Sequence, residues 1–328
     1  MPLSTRLTER FSIRHPIVLA PMGVMAGGRL AAAVSNAGGL GLIGGGYGDE
    51  AWLDKEFAAA GKARVGCGFI TWSLATRPHL LDLVLARRPV ALMFSFGSPA
   101  PFAARSQAAG VPVLCQVQSM THARRALEAG ADVIVAQGNE AGGHSGSRST
   151  FTLVSEIADL LAKQAPETVL VAAGGVGDGR SLAAALMLGA DGVLIGTRFL
   201  ATLESAAPQG FREAIVAADG DQTIKTKTVD IARNYHWPTT EFVTRVLNNR
   251  FVAAWHGRED QLAQEPTLSV QSRLYWDAFH AGDAENTGVL MGEAAGLIHS
   301  VESAARVIND IVGQAERLLA DGPRWIAD

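Results

Sequence analysis

Short apolar runs recur along the first two thirds of this chain, roughly every 20 to 25 residues, and alanine-rich segments of helical spacing separate them. Most of the runs are rich in β-branched residues, as strands are. The runs are Pro16–Leu19, Gly41–Gly44, Val65–Ile70, Val90–Phe94, Val113–Gln116, Val133–Ala136, Val169–Ala173 and Gly192–Ile195. This rhythm is typical of repeated strand–helix units.

The runs are continuously apolar rather than alternating, which is expected of strands buried on both faces of a parallel sheet. The segments between them predict helices, including 29–37, 121–129 and 181–188, and Gly130 and Gly189 stop the last two. Eight strand–helix units in about 200 residues favour a closed barrel over a doubly wound open sheet. The sequence therefore predicts an α/β protein with a (β/α)8 TIM-barrel fold.

The rhythm ends near Phe211, and residues 221–285 lack strand-like runs and carry more charged, aromatic and amide side chains. Helical patterns over 241–251 and 266–279 predict a small helical domain inserted near the C-terminus. An amphipathic segment at 302–319 is expected to return to the outer ring of the barrel. The predicted bounds are 1–212 with 286–328 for the barrel and 213–285 for the helical domain.

The inserted domain is expected either to cover the barrel mouth as a lid that keeps water from a substrate or to pack away from it. His236–Pro238 and Trp255–Gly257 are candidates for lining a pocket from that side. Packing within the small domain is the alternative role for both segments.

A glycine-rich loop with a single histidine follows the sixth apolar run and extends from Gln137 to Gly146. Gly142 and Gly143 permit backbone shapes that other residues avoid and allow a ligand to approach closely. His144 can exchange a proton near neutral pH. The loop is therefore a candidate site, although by itself it is equally compatible with an exposed loop whose histidine has no role.

The seventh and eighth apolar runs both end in glycine, with Gly174 and Gly175 after one and Gly196 and Thr197 after the other. In parallel barrels, the loops after strands seven and eight commonly bind a phosphate through backbone N–H groups. These four residues are the predicted phosphate cradle.

Composition excludes several classes of protein. The formal net charge is −4, and basic and acidic residues are interspersed, so the chain lacks the basic patch of a nucleic-acid-binding protein. The two cysteines, Cys67 and Cys115, stand near the ends of predicted strands and are expected to be buried and unpaired. No histidine spacing indicates a metal site.

Nothing in the sequence predicts membrane insertion, because no apolar run approaches the roughly 20 residues that a spanning helix needs. The first ten residues contain no apolar signal core, so we expect a cytoplasmic protein.

Four motifs are shared with a known family: Ala20–Gly23, Gln137–His144, Ala172–Gly179 and Leu194–Thr202. They resemble those of the nitronate monooxygenases, formerly called 2-nitropropane dioxygenases, which are FMN-dependent TIM-barrel flavoproteins. The resemblance covers about residues 12–205. It implies an oxidoreductase that uses FMN and oxygen to convert alkyl nitronates, with nitroalkanes as a further substrate class left open, into a carbonyl compound and nitrite.

The resemblance also implies residue roles. His144 would be the catalytic base, the FMN phosphate would lie on Gly175, Gly196 and Thr197, and the flavin ring would contact the backbone of Met22 and Gly23. The implied cofactor-binding residues are Pro21, Met22, Gly23, Gln116, Gln137, Gly142, Gly143, Gly174, Gly175, Gly196 and Thr197. The implied partners are a small-molecule substrate and oxygen, and the chain would be a monomer or homodimer. The sequence departs from many members at the end of strand three, where they have asparagine and this chain has Gly66–Phe69.

Other functions stay open at this point. The same motifs occur in flavin-dependent enoyl-ACP reductases and NADH:quinone reductases, so NAD(P)H-dependent reduction of quinones or enoyl thioesters is the main alternative. A flavin carrier without turnover, or an aldolase- or isomerase-type barrel that binds a substrate phosphate, is also compatible. A protein like IMP dehydrogenase is excluded, because that enzyme needs a cysteine in the loop after strand six and residues 137–150 contain none.

Overall fold

Eight parallel strands form the centre of the protein in the computed structural model, which describes residues 3–238 and 240–322. The strands of the chain, in order, are β1 Ile17–Leu19, β2 Gly41–Gly46, β3 Val65–Ile70, β4 Leu92–Ser95, β5 Val113–Val117, β6 Val133–Gln137, β7 Gly143–Ser145, β8 Val169–Ala173, β9 Gly192–Ile195, β10 Thr223–Thr226 and β11 Val243–Leu247. All eight predicted strands are present, and β7, β10 and β11 are additional.

The eight-stranded sheet closes on itself. Its order is β1-β9-β8-β6-β5-β4-β3-β2, and every neighbouring pair is parallel. The two ends meet through a parallel bridge between Val18 and Leu40, where the Leu19 N–H donates to the Leu40 carbonyl at 2.9 Å and the Leu40 N–H donates to the Ile17 carbonyl at 2.9 Å. The predicted (β/α)8 barrel is confirmed.

Helices pack around the barrel and also form part of the inserted segment. They are α1 Arg6–Phe11, α2 Gly28–Asn36, α3 Glu50–Ala60, α4 Thr71–Leu74, α5 His79–Ala86, α6 Ala100–Ala108, α7 Met120–Glu128, α8 Thr150–Gln164, α9 Gly179–Met187, α10 Thr197–Leu200, α11 Gln209–Ala217, α12 Thr228–Ala232, α13 Arg250–Trp255, α14 Glu259–Leu262, α15 Thr267–Ala281 and α16 Ala304–Ala320, with 3₁₀ turns at Gly220–Gln222 and Glu293–Leu297. The helices expected at 29–37, 121–129, 181–188, 266–279 and 302–319 correspond to α2, α7, α9, α15 and α16. As predicted, α16 returns to the outer ring, where it packs against α9 and α2.

Two apolar layers share the barrel strands, because successive side chains of a strand point to opposite faces. In β6, Val133 and Val135 belong to the cluster inside the barrel, whereas Ile134 and Ala136 belong to the cluster under the helices. The interior cluster also contains Leu7 of α1, which is fully buried. The N-terminal end of the barrel is therefore plugged by α1, and a ligand has access at the other end.

A small antiparallel sheet of order β10-β11-β7 lies beside the barrel. The helix predicted over 241–251 is wrong, because residues 243–247 form β11 and only Arg250–Trp255 is helical. The inserted segment 213–285 is thus mixed rather than helical. The Val-Thr-Arg-Val-Leu run of β11 pairs with β10 on one side and with β7, about a hundred residues earlier, on the other. Local helical periodicity could not reveal that second pairing. The domain bounds stay a prediction.

Candidate active site

A cavity of about 860 Å³ opens at the carboxyl ends of the barrel strands. The carboxyl ends of all strands of a parallel barrel meet at one mouth, so residues distant in sequence converge there. The predicted site residues that line this cavity are Pro21, Met22, Gly23, Gln116, Gln137, Gly142, Gly143, His144, Gly174, Gly175, Gly196 and Thr197. The structure therefore brings all twelve of them together, while their individual roles stay predictions.

The strand ends of β8 and β9 form a concave backbone surface. Gly174 and Gly175 have φ values of +98° and +73°, a region that favours glycine. Among the described residues, no protein acceptor is found for the backbone N–H groups of Gly175, Val176 and Gly196. Thr197 Oγ1 accepts the Gly292 N–H at 2.9 Å, so its own proton is free to point toward a ligand. Unused donors on a glycine surface fit an oxyanion such as phosphate.

Glu140 lies beside this surface, but its carboxylate is already engaged. Its two oxygens accept the Thr150 N–H at 3.1 Å each, and Oε2 accepts the Thr150 hydroxyl at 2.9 Å. The Glu140 carbonyl accepts the Glu293 N–H at 3.0 Å. Glu140 thus joins the loop after β6 to the start of α8, and it orders the loop rather than exchanging protons.

Three glutamines on β5 and β6 and their flanks hold the histidine loop in place. Gln137 Oε1 accepts from Gln116 Nε2 at 3.0 Å and from Gln118 Nε2 at 2.9 Å. Gln137 Nε2 then donates to the His144 carbonyl at 3.1 Å. Because this chain of hydrogen bonds uses both lone pairs of the Gln137 oxygen, it determines the orientation of that amide. Gln118, which the sequence did not single out, is the second donor to the Gln137 oxygen.

His144 is a buried residue of β7, and its ring is held by two partners from the inserted segment. Its Nε2 lies 2.8 Å from Asp230 Oδ2 and 2.7 Å from Thr244 Oγ1. The Thr244 hydroxyl itself donates to Asp230 Oδ2 at 3.0 Å. The antiparallel register of β7 and β11 places Thr244 directly opposite His144. When Nε2–H donates to Asp230, the lone pair of the neutral ring is on Nδ1, the orientation that a base requires.

Burial is the main influence on the charge of His144, and it lowers the pKa of this residue below its ordinary value. Asp230 opposes the shift through its hydrogen bond and its charge, and the positive charge of Arg233 adds to it. The net direction is downward, so the imidazole is neutral at pH 7 and able to accept a proton.

Aromatic side chains cover this histidine. The Trp237 ring stacks on the imidazole with centroids 3.6 Å apart and planes 19° from parallel. Phe96 contacts its edge at 6.1 Å, and Trp237 Nε1 donates to the Tyr47 hydroxyl at 3.1 Å. This wall limits access of water to the ring. The pocket role considered for His236–Pro238 is supported, since His236 lines the cavity, whereas Trp255–Gly257 are not among its lining residues.

Gly68 lies in the segment at the end of strand three where this chain departs from many members, and it is in close contact with the loop after β1. A Cβ at Gly68 would lie 2.3 Å from the Pro21 Cγ atom and 2.5 Å from its Cβ atom. Pro21 therefore packs directly on the Gly68 backbone, and a side chain at this position would displace the loop after β1.

The two cysteines of the chain are not among the residues that line the cavity. Cys67 and Cys115 are buried and unpaired as predicted, and burial raises the pKa of the Cys115 thiol to about 12, so it stays protonated. Among residues 3–238 and 240–322, no group of three or more His, Cys, Asp or Glu side chains could hold a metal ion. In the same part of the chain, no helix is long and apolar enough to cross a bilayer.

The model of the nitronate monooxygenase family matches residues 4–64 and 71–314 of the chain. The chain is 36% identical over 347 residues to the (3aS,4S,5R,7aS)-5-hydroxy-7a-methyl-1-oxo-octahydro-1H-indene-4-carboxyl-CoA dehydrogenase of Mycobacterium tuberculosis, an alignment that covers 95% of this chain and 96% of that protein. It is 35% identical to the nitronate monooxygenase npaC of Metarhizium robertsii, with 93% and 92% covered.

Solved structures with a similar fold include FabK and a nitroalkane oxidase. FabK from Thermotoga maritima superposes with a TM-score of 0.84 at 29% identity and covers 98% of this chain and 99% of its own. The nitroalkane oxidase from Streptomyces ansochromogenes superposes with a TM-score of 0.78 at 26% identity and covers 96% and 99%. The similarity extends through the inserted segment that supplies Asp230 and Thr244.

Proposed function

The chain belongs to the nitronate monooxygenase family of oxidoreductases, and from that premise we propose that it oxidises alkyl nitronates with FMN and oxygen to a carbonyl compound and nitrite. The observation that supports this proposal most directly is the buried Asp230–Thr244–His144 arrangement at the same cavity as the glycine surface of β8 and β9. It combines a base with an anion-binding surface.

The residues present fit an FMN phosphate. Gly175, Val176 and Gly196 offer backbone N–H groups that have no acceptor among the described residues, and Thr197 offers its hydroxyl. Bound FMN would supply the electron acceptor for substrate oxidation. Gly23 and Gly46 approach each other so closely that a Cβ on either would lie 3.2 to 3.3 Å from the other's Cα. Because neither carries a side chain, no side chain projects into the cavity from these two positions.

His144 acts on the substrate as a base. A neutral nitroalkane must lose a proton from the carbon next to the nitro group, and Nδ1 would take it while Asp230 holds Nε2–H. A preformed nitronate has already lost that proton. The histidine is therefore needed for one substrate class and not for the other.

Asp230 is the residue that orients this base, and replacing it with asparagine is expected to lower turnover of a neutral nitroalkane about tenfold, since Asn keeps an acceptor but loses the charge. Because Asp230 raises the pKa of His144, the variant should also shift the rise of rate with pH toward lower pH. A pH profile of kcat/KM for nitroethane measures both effects.

The matched control is Asp159→Asn on the exposed face of α8, which should leave rate and profile unchanged. A tenfold loss in Asp230→Asn with an unshifted profile would contradict the orienting role and indicate general damage to the site.

The test of the proposed function is anaerobic flavin bleaching. Purified enzyme with bound FMN is mixed with propionate 3-nitronate in one cuvette and with NADH or NADPH in another. Bleaching by the nitronate, followed by nitrite release when oxygen is admitted, is the expected result. Rapid bleaching by a pyridine nucleotide alone would overturn it.

A second candidate is redox chemistry on an acyl thioester. It is favoured by the relative named as a carboxyl-CoA dehydrogenase, which is 36% identical over 95% of this chain, and by the TM-score of 0.84 with FabK. In that case His144 would deliver or accept a proton on the acyl group. Bleaching by NADPH and reoxidation by an enoyl thioester would identify it.

A lid movement of the inserted segment, a monomeric or homodimeric state and a cytoplasmic location stay predictions. So does the specific assignment of each glycine to the cofactor.

A further inference from the structure

Arg233 follows the last residue of α12 and lines the cavity among aromatic rings. The centre of its guanidinium lies 4.4 Å from the Tyr235 ring centroid, 5.6 Å from that of Tyr47 and 5.8 Å from that of Trp276. Cation–π contacts of this kind hold the positive charge in place while leaving the edge of the planar group, where its N–H donors are, free to bind.

This guanidinium has no anionic partner in the described part of the chain. No carboxylate lies within 4.0 Å of it, and none of its N–H groups donates a hydrogen bond there. Asp230, one helical turn earlier, influences Arg233 through its charge but directs Oδ2 to His144 and Thr244. Its buried Oδ1 accepts no hydrogen bond from described residues. Arg233 is half-buried at the cavity, so the N–H donors that no described residue uses are available to a ligand bound there.

We propose that Arg233 binds a planar, two-oxygen anion of the substrate, an inference that rests on the proposed function because the nitronate or an attached carboxylate would be that anion. The guanidinium fork matches two coplanar oxygens through two parallel hydrogen bonds. Arg233 and Asp230 are three residues apart on one helical turn, so the anion lies next to the base that Asp230 holds.

From this position, Arg233 stabilises the negative charge that forms on the substrate during proton transfer. When His144 Nδ1 takes the proton, the C–H bond breaks and its electron pair moves onto the nitro group, whose two oxygens then share a full negative charge. Donors fixed beside those oxygens stabilise the charge as it forms. With a preformed nitronate, the same donors would contribute to binding alone.

Equilibrium binding of two non-reacting anions tests the proposal. Nitrate has the planar oxygens of a nitro group and propionate has a carboxylate; each is titrated into the oxidised FMN-loaded enzyme at constant ionic strength, followed by calorimetry and tryptophan fluorescence. Arg233→Gln should bind nitrate, propionate or both about 10- to 10²-fold more weakly than the unsubstituted protein. Arg233→Lys should lose less, because it keeps the charge without the fork.

The matched control is Arg258→Gln, since Arg258 also lies over a tryptophan ring, at 5.5 Å from Trp255, but is exposed and outside the cavity. Equal affinity of the unsubstituted protein and Arg233→Gln for both anions would overturn the proposal, as would binding of neither anion. A loss of thermal stability in Arg233→Gln with unchanged anion affinity would show instead that Arg233 is a structural partner of Asp230. Because the anions do not react, this result is independent of whether the enzyme turns over nitronates.

Discussion

Replacing His144 with alanine is expected to lower kcat/KM for neutral nitroethane by about 10²- to 10⁴-fold, the usual contribution of a general base. Turnover of preformed ethyl nitronate should fall far less, because that substrate arrives without the proton that Nδ1 would remove. The ratio of the two rates, measured by oxygen consumption in the same buffer, isolates proton abstraction from all other functions of the site. FMN content should be unchanged, since the glycine surface of β8 and β9 is untouched.

The pH dependence provides an independent check. Burial lowers the pKa of His144, so the rate with nitroethane should rise through a pKa below the ordinary histidine value and stay high above it. In His144→Ala this rise should disappear. The exposed His299 supplies the control, and His299→Ala should retain both rate and profile. Equal losses with nitroethane and its nitronate would rule out His144 as the base.

Introducing aspartate at Gly175 is expected to weaken FMN binding by about 10²- to 10³-fold, since a carboxylate a few ångströms from a phosphate costs about 4 kcal/mol at an effective dielectric constant near 20. The chain should still fold. A Cβ at Gly175 meets only the Glu140 Cβ, at 3.8 Å, and aspartate tolerates positive φ better than most residues. The measurement is the FMN dissociation constant, from quenching of flavin fluorescence by the apoprotein.

Gly61→Asp is the matched control for that substitution. Gly61 also has a positive φ, +61°, but it is exposed at the end of α3 and a Cβ there meets nothing within 4 Å. Both variants add the same charge at a glycine of positive φ, and only Gly175→Asp places that charge in the cradle. If the two bind FMN equally well, the phosphate does not lie on Gly175.

Much of the fold could be predicted from the sequence, because the relevant signals are local. A barrel strand such as Val133–Ala136 is buried on both faces, so its apolar run is continuous, and the next strand follows after one helix. The same parallel geometry predicts that Gly175 and Gly196, at the ends of neighbouring strands, share one mouth. Both the strands and the shared mouth follow from local patterns and from the regular pairing of neighbouring barrel strands. No other long-range contact is required to predict them.

The inserted segment shows where such reasoning fails. The sequence predicts a helix over 241–251, whereas residues 243–247 form β11, because the pairing of β11 with β7 connects residues about a hundred positions apart. No local signal marks Asp230 either, since it lies on a five-residue helix between charged and aromatic residues. Its relation to His144 exists only because α12 packs next to the loop after β6.

Local patterns in the sequence predict the barrel, the mouth at which its glycine-rich loops meet and the histidine among them, because hydrophobic periodicity and glycine placement are local signals. The surroundings of that histidine become visible only in the folded structure. The inserted segment supplies the histidine's partners Asp230 and Thr244, the covering Trp237 and the cavity residue Arg233, and the contacts of this segment with the barrel are long-range. Such contacts depend on how distant segments fit together in shape and charge. No local pattern of residues predicts that fit.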